Sequence, residues 1–336
     1  MRIAFVITSP VFVSSDGVVS QAKLWKSALE RAGNNVVLVN MWDVPDWSDF
    51  DVIHLFAFNS FMSDFINNVS KVNSNIFLSP ILDPDKHKSY YFFASRWGFK
   101  SARLTNRFHD LYMARNSISG VFVRSVFEKD YLVKSFGYPE NKVIIVGLPY
   151  NESLISAEES TKRESYCFHV SLLADERKNV VSLVEAAKKF GFNLTLAGFL
   201  RNEMEKLWLT DLINGTPNIK YIGYLTVDKL KECYETCSVF ALPSLNEGVG
   251  IVALDAAANG ANIVITNRGG PKEYYKDYAS IVDPLDIDSL GRSIVDAIDK
   301  NETNYGLMQF VRSNYSADFI ANQLTSAYDD LLRMGL

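Results

Sequence analysis

Residues 246–264 read NEGVGIVALDAAANGANIV, and this stretch decides the fold. Before it runs SVFALP (238–243), a continuous apolar segment closed by a proline. Such a segment predicts a buried strand, SLNEGVG a loop, and the alanine-rich run from near Gly250 a closely packed helix. Gly260 ends that helix, as glycine often does, and NIVIT (262–266) returns as a second strand. Strand, glycine loop, helix and strand make one βαβ unit with a right-handed crossover. The unit repeats at once: NIVIT leads into NRGGPKEYY (267–275), where Gly269 and Gly270 make the turn and Pro271 suits a first helical position.

Working outward, the same alternation fills the chain. Apolar runs recur at 2–8, 35–40, 51–56, 75–80, 119–124 and 142–147, and again at 166–173, 193–198, 219–224, 238–243, 262–266 and 279–284. Helical stretches such as SQAKLWKSALERAG (20–33) and KNVVSLVEAAKKFG (178–191) lie between them. Continuous apolar strands alternating with helices predict an α/β protein with doubly wound parallel sheets covered on both faces. LPYNESLISAEESTKRES (148–165) is polar and poor in strand formers. It divides the chain into an N-terminal domain, 1–150, a linker, 151–165, and a C-terminal domain, 166–316. The amphipathic segment 317–336 caps one domain or crosses back to the first. Two Rossmann-like domains facing a cleft are expected, with ligands at the carboxyl ends of the strands.

Composition narrows the function. The 336 residues include 34 Lys and Arg against 39 Asp and Glu, a net charge of −5 that disfavours a general nucleic-acid binder. The first strand starts at Arg2 without an apolar leader, and no apolar run reaches the roughly 18 residues of a membrane helix. These features are those of a cytoplasmic protein. Cys233 and Cys237 have no histidine near them in sequence, and the three cysteines, Cys167 included, read as reduced thiols rather than a zinc site. ITSPVFVSSDG (7–17) lacks the G-x-G-x-x-G of a dehydrogenase, and no G-x-x-x-x-G-K-[ST] is present.

Glu247, Gly248 and Gly250 fall where a strand tip meets a helix N-terminus, and the Gly269–Gly270 turn places a second helix start beside it. Free amides at helix starts attract anions, and glycine lets a ligand come close to the backbone. Asp255, inside the alanine-rich helix, costs several kcal/mol if buried unpaired. It therefore faces either sugar hydroxyls or a nearby backbone amide.

EGVGIVALDAAANGANIVITNRGGPKEYY (247–275) resembles the nucleotide-sugar signature of family-4-type retaining glycosyltransferases of the GT-B fold. The resemblance extends in order through MRIAFVITSP, the glycine turn and first helix, FDVIHL, RSVFEKDYLVKSFGYPENKVIIVGLP and DERKNVVSLVEAAKKF. It implies a metal-independent enzyme without a cofactor. Such an enzyme moves a sugar from a nucleotide sugar to a saccharide or lipid-linked acceptor, in cell-surface polysaccharide or glycoconjugate synthesis. It further implies that Glu247 contacts the donor sugar at the reaction centre, that Gly248, Val249 and Gly250 hold sugar and phosphate, and that Asp255 binds the ribose. Lys178, with Arg177 beside it, neutralises the diphosphate. Tyr224 and Leu225 lie where the base packs, Gly17 and the Gly269–Gly270 turn lie near the phosphates, and Asp83 or His87 serves the acceptor side. Three positions depart from the family pattern. Asp255 stands for a usual Glu, Leu173 for a frequent Arg, and SPILDPDKHK (79–88) lacks the usual histidine. A non-catalytic GT-B-like subunit stabilising a partner, and a GT-B-fold epimerase, are the competing readings.

One segment stands apart. SYYFFASRWGFKSARLTNRFHDLYMAR (89–115) carries Arg96, Lys100, Arg103, Arg107 and Arg115 against the single acid Asp110, with aromatics interleaved. It suits an anionic membrane surface and a peripheral location at the inner face of the membrane. The same pattern also fits a packed aromatic helix with a solvated basic side.

Overall fold

The computed structural model describes residues 1–7, 17–39, 43–98, 106–155 and 163–335. The chain divides into two compact units. Unit 1 comprises Met1–Pro149 with Ala317–Leu336, and unit 2 comprises Tyr150–Ser316.

In unit 1 the strands are β1 (Arg2–Ile7), β2 (Asn35–Val39), β3 (Val52–Phe56), β4 (Ile76–Ser79), β5 (Gly120–Val123) and β6 (Val143–Ile145). They pair in parallel in the order β2-β1-β3-β4-β5-β6, so the winding reverses between β1 and β3. β3, β4 and β5 are buried at every position, as expected of strands covered on both faces. The last helix, Ala317–Gly335, belongs to this unit and packs on the first helix, Gly17–Arg31. Its Tyr328 is fully buried among Phe77, Phe122 and His54.

Unit 2 repeats the plan with β7 (Glu164–Leu172), β8 (Leu194–Phe199), β9 (Ile219–Tyr221), β10 (Cys237–Leu242), β11 (Asn262–Thr266) and β12 (Ser280–Val282). All pairs are parallel, in the order β12-β11-β10-β7-β8-β9. Here the winding reverses between β7 and β10.

Two sequence expectations change. The segment 151–165 is not a free linker along its length. Residues 151–155 and 163–165 are part of unit 2, and 156–162 lie outside the described residues. Arg163 is buried because its guanidinium donates to the carbonyls of Tyr234, Glu235 and Asn259, and β7 starts directly after it. The helix after the Gly269–Gly270 turn covers only Pro271–Tyr275, too short to act as a second full helix N-terminus beside the first.

Candidate active site

In a doubly wound sheet the carboxyl ends of the two strands flanking the reversal form the natural crevice. In unit 2 those strands are β7 and β10, and the chain leaving each supplies half of one cluster. After β7 a turn at Glu176–Lys178 is capped by Asp175, whose Oδ1 accepts from the Arg177 amide at 2.9 Å. Asn179 follows in the left-handed region, φ 54°, a conformation asparagine tolerates better than most residues. Its Nδ2 donates to the carbonyls of Pro243 (3.1 Å) and Pro284 (2.8 Å), which pins the turn to the end of β10. The Leu245 amide donates to the Arg177 carbonyl at 2.8 Å and adds a second tie.

These ties bring Lys178 and Glu247 together. Lys178 Nζ lies 2.8 Å from Glu247 Oε2, and the buried Ser244 donates its hydroxyl to the same oxygen at 3.0 Å. The Lys178 and Glu247 side chains are only 16% and 11% exposed, so the pair is held in a poorly solvated place where its charges are weakly screened. With Oε2 occupied twice, Oε1 is the Glu247 oxygen turned to other partners.

The backbone of Glu247 is fixed from the other side. Its amide donates to the Arg268 carbonyl at 3.3 Å, and its carbonyl accepts from the Gly270 amide at 3.2 Å. Gly269 must be glycine: φ is +96°, and a Cβ there would sit 1.9 Å from the Glu247 carbonyl oxygen. Gly250, φ +79°, turns the chain into the helix Ile251–Ala258, and the Tyr275 hydroxyl donates to its carbonyl at 3.0 Å. A Cβ at Gly250 would lie 3.7 Å from Glu247 Cγ, so the helix start sits beside the acid, and free amides at a helix start favour an anion.

The remaining expected residues are placed as follows. Val249 is buried, Leu225 is half-buried, and Tyr224 is exposed. Leu173 is part of the hydrophobic core of unit 2, which is why it is not a cation. Asp255 is 5% exposed, and its Oδ1 accepts from the Asn151 amide at 2.7 Å. Burial raises its carboxyl to about 7, partly offset by that hydrogen bond. Gly17 opens the first helix of unit 1, and no atom of the described residues lies within 4 Å of where its Cβ would be. Asp83 takes the Arg124 guanidinium at 2.8 Å, and Arg124 also binds Glu128 at 3.0 Å. Burial opposes charge on Arg124, but Glu128 and Asp83 outweigh it and hold it protonated. His87 caps the helix Lys88–Arg96, accepting from the Ser89 amide.

The two buried histidines have local partners. His54 is fully buried between the Tyr328 hydroxyl and Ser79 Oγ, and burial pushes it down to about 3. His169 faces the Ala241 carbonyl through Nδ1 (2.8 Å) and Ser171 Oγ through Nε2 (2.7 Å). A carbonyl only accepts, so Nδ1 carries the proton, and burial keeps the ring neutral with a value of about 4. The three cysteines are free thiols, and burial pushes Cys233 up to about 11 and Cys237 to about 12. Among the described residues no group of three His, Cys, Asp or Glu could hold a metal ion. No helix among them is long and apolar enough to cross a membrane.

Residues 151–309, which contain every member of this cluster, match the family model described as glycosyl transferases group 1. That match covers just under half of the chain and falls within unit 2. The chain is similar to O-antigen chain mannosyltransferase B of Escherichia coli, 23% identical over 65% of this chain and 62% of that protein. The match therefore spans about three fifths of that relative's length. Among solved structures, sucrose-phosphate synthase of Thermosynechococcus elongatus superposes with a TM-score of 0.73 at 16% identity, covering 99% of this chain and 100% of that one. Anabaena HepE in complex with UDP and glucose superposes at 0.71 with 13% identity, over 98% and 100% of the two chains. The fold is thus GT-B, two six-stranded parallel sheets with helices.

Sequence reasoning missed two parts of this cluster. Ser244 has a visible signal, a hydroxyl directly after the strand-ending Pro243 and three residues before the acid. Asn179 is betrayed only by its tolerance of the left-handed region, a weak signal in a sequence.

Proposed function

We propose that this chain is a retaining, metal-independent hexosyltransferase that uses a nucleotide sugar and serves cell-surface polysaccharide or glycoconjugate synthesis. The observation that carries the reading is the Lys178–Glu247 pair at the winding reversal of unit 2, beside the Gly250 helix start. The donor's diphosphate has its natural partners there: Lys178, and the amides of Gly248, Val249 and Gly250. These groups are set before the reaction and stabilise the charge that develops on the leaving diphosphate. The bond from the anomeric carbon to the diphosphate breaks as the acceptor oxygen bonds to the same face. The acceptor's proton passes to the departing phosphate oxygen, so no separate protein base is needed. Glu247 Oε1 is oriented toward the sugar while Lys178 and Ser244 hold Oε2. Similarity to an O-antigen mannosyltransferase supports a saccharide or lipid-linked acceptor, and the HepE complex supports a nucleotide-sugar donor. No cofactor is needed.

The test is a thermal-shift panel of nucleotide sugars followed by transfer assays with the stabilising donor. A true donor at 100 times its Kd stabilises by about 2.7 kcal/mol. If no nucleotide sugar raises Tm, the reading fails.

The same proposal includes a cytoplasmic location and peripheral attachment to an anionic membrane surface. On the helix Lys88–Arg96, Tyr90 and Phe93 are exposed at helical spacing, with Trp97 exposed just beyond its end and Lys86 before its start. Arg96 is stacked 3.7 Å over Phe92 and 4.6 Å over Tyr112. Lys100 and Arg103 lie outside the described residues. Binding to vesicles should rise with anionic lipid and fall with salt. Replacing Phe93 and Trp97 with Ser should weaken it, and salt-insensitive binding or none removes the membrane from the proposal.

A further inference from the structure

Asp255 is the acid that the family resemblance assigns to the nucleotide ribose, and its surroundings point elsewhere. It sits in the second turn of the helix Ile251–Ala258, 5% exposed, between Leu254 and Ala256, which are both fully buried. Its Oδ1 accepts the Asn151 amide at 2.7 Å. One turn on, Asn259 donates through Nδ2 to the Leu154 carbonyl at 3.0 Å. Two side chains of one helical face thus grip both ends of the turn Glu152–Leu154. That turn opens unit 2, and just before it the Tyr150 amide donates to the Tyr315 carbonyl at 3.1 Å, next to the unit's last residue. The two ends of unit 2 are therefore tied at Tyr150 and Tyr315, and Asp255 ties the adjoining Asn151 to the helix that starts at the Gly250 loop.

We propose that Asp255 is a positioning residue that, with Asn259, staples residues 151–154 to the donor-site helix, and that it does not read the ribose. The chemistry of the two roles differs. A staple needs one acceptor oxygen, which a neutral acid or an amide supplies as well as a carboxylate. Reading vicinal hydroxyls favours a charged carboxylate that can accept twice and is open to the ligand. Asp255 is one methylene shorter than the glutamate of the family pattern, and it is already engaged with the protein. The consequence is a specificity: nucleotide binding should be nearly blind to the 2′-hydroxyl. That consequence rests on the proposed donor site, whereas the staple does not.

Two measurements separate them. In the first, UDP and 2′-deoxy-UDP, and GDP and 2′-deoxy-GDP, are titrated calorimetrically against wild type and Asp255→Asn. The ribo and deoxyribo forms should bind within about twofold of each other in both proteins. A tenfold ribo preference in wild type that Asp255→Asn abolishes overturns the proposal. In the second, amide hydrogen exchange is followed at Asn151 and its neighbours. Asp255→Ala should speed exchange at Asn151 at least tenfold while Asp255→Asn leaves it slow. Unchanged exchange in Asp255→Ala overturns the staple. If Asp255→Ala does not fold, Asn259→Ala is used instead: faster exchange across 151–155 supports the staple, and unchanged exchange overturns it. Should neither UDP nor GDP bind wild type, the proposed donor site loses its support, and the exchange data still decide the staple.

Discussion

His54 in unit 1 and His169 in unit 2 occupy comparable places, each in a central strand and each stacked on a phenylalanine, Phe56 and Phe240. Burial holds both rings neutral at ordinary pH, at about 3 and about 4. What lies around them differs. His54 is sealed by Tyr328 from the last helix, so the middle of the unit 1 sheet is core. His169 lies under the loops that carry Lys178 and Glu247, which leave the sheet at the winding reversal and remain partly open. The two sheets share a plan, and the difference is in what each unit builds at its strand ends. In unit 2 two loops from neighbouring strands converge on one oxygen of Glu247. In unit 1 the described strand ends instead carry left-handed backbone at Ala57 (φ 62°) and Ile81 (φ 52°) and the closed Asp83–Arg124–Glu128 network.

The comparison is broken most directly at Glu247. Glu247→Gln keeps shape and removes the charge opposite Lys178. Turnover should fall about 100-fold or more, close to 3 kcal/mol of transition-state stabilisation, with donor KM changed much less. Full turnover in that variant with a competent donor and acceptor returns the chain to the non-catalytic reading.

In unit 1 the matching experiment should touch stability alone. Tyr328→Phe removes the hydroxyl partner of His54 Nδ1 and leaves a buried polar nitrogen, at a cost of about 1–3 kcal/mol. Denaturant midpoints should shift accordingly while Kd for the donor stays constant. A loss of donor binding would mean that the His54 cluster is not simply core. The pH dependence has a definite sign. A histidine neutral in the fold takes up its proton on unfolding near 6.5, so the stability from His54 is complete above that pH. It is lost as pH falls toward 3. Asp255 acts oppositely, because its carboxyl is raised in the fold and its ionisation erodes stability as pH rises from 3.8 toward 7.

Lys178→Ala should weaken binding of both nucleotide sugar and nucleoside diphosphate by about tenfold, the scale of one charge-assisted contact. The nucleoside alone should bind almost unchanged. Equal loss for all three ligands would make Lys178 a structural partner of Glu247 and nothing more.

How much of this was legible depended on the kind of signal. The twelve strands of the described residues showed in the sequence because strands buried on both faces, such as β10 at Cys237–Leu242, are mostly apolar runs, with Ser238 the one polar residue of that strand. Gly250 and Gly269 were legible as turn positions because glycine readily takes the positive φ that each adopts. The Lys178–Glu247 pair was not, since its members are 69 residues apart and meet only through the β7–β10 reversal. Arg163 reads as linker because a buried guanidinium looks like a solvated one until the carbonyls around it are known. Asp255 left two readings open, hydroxyls or an amide, and only the position of Asn151 distinguishes them.

The smallest expected effect compares two glycines. At Gly269 a Cβ would strike the Glu247 carbonyl oxygen at 1.9 Å, with φ in the left-handed region. Gly269→Ala must displace the backbone of Glu247, so it should lower both Tm and turnover. Gly17 in unit 1 opens a helix, with nothing among the described residues within 4 Å of the added carbon. Gly17→Ala there meets no obstacle, and alanine is the better helix former. It should leave donor affinity within about twofold and raise stability by roughly 0.5 kcal/mol. Calorimetric titration and denaturant melts of the two variants side by side give the answer. If Gly17→Ala costs tenfold in donor affinity while Tm holds, Gly17 is more than a plain helix start.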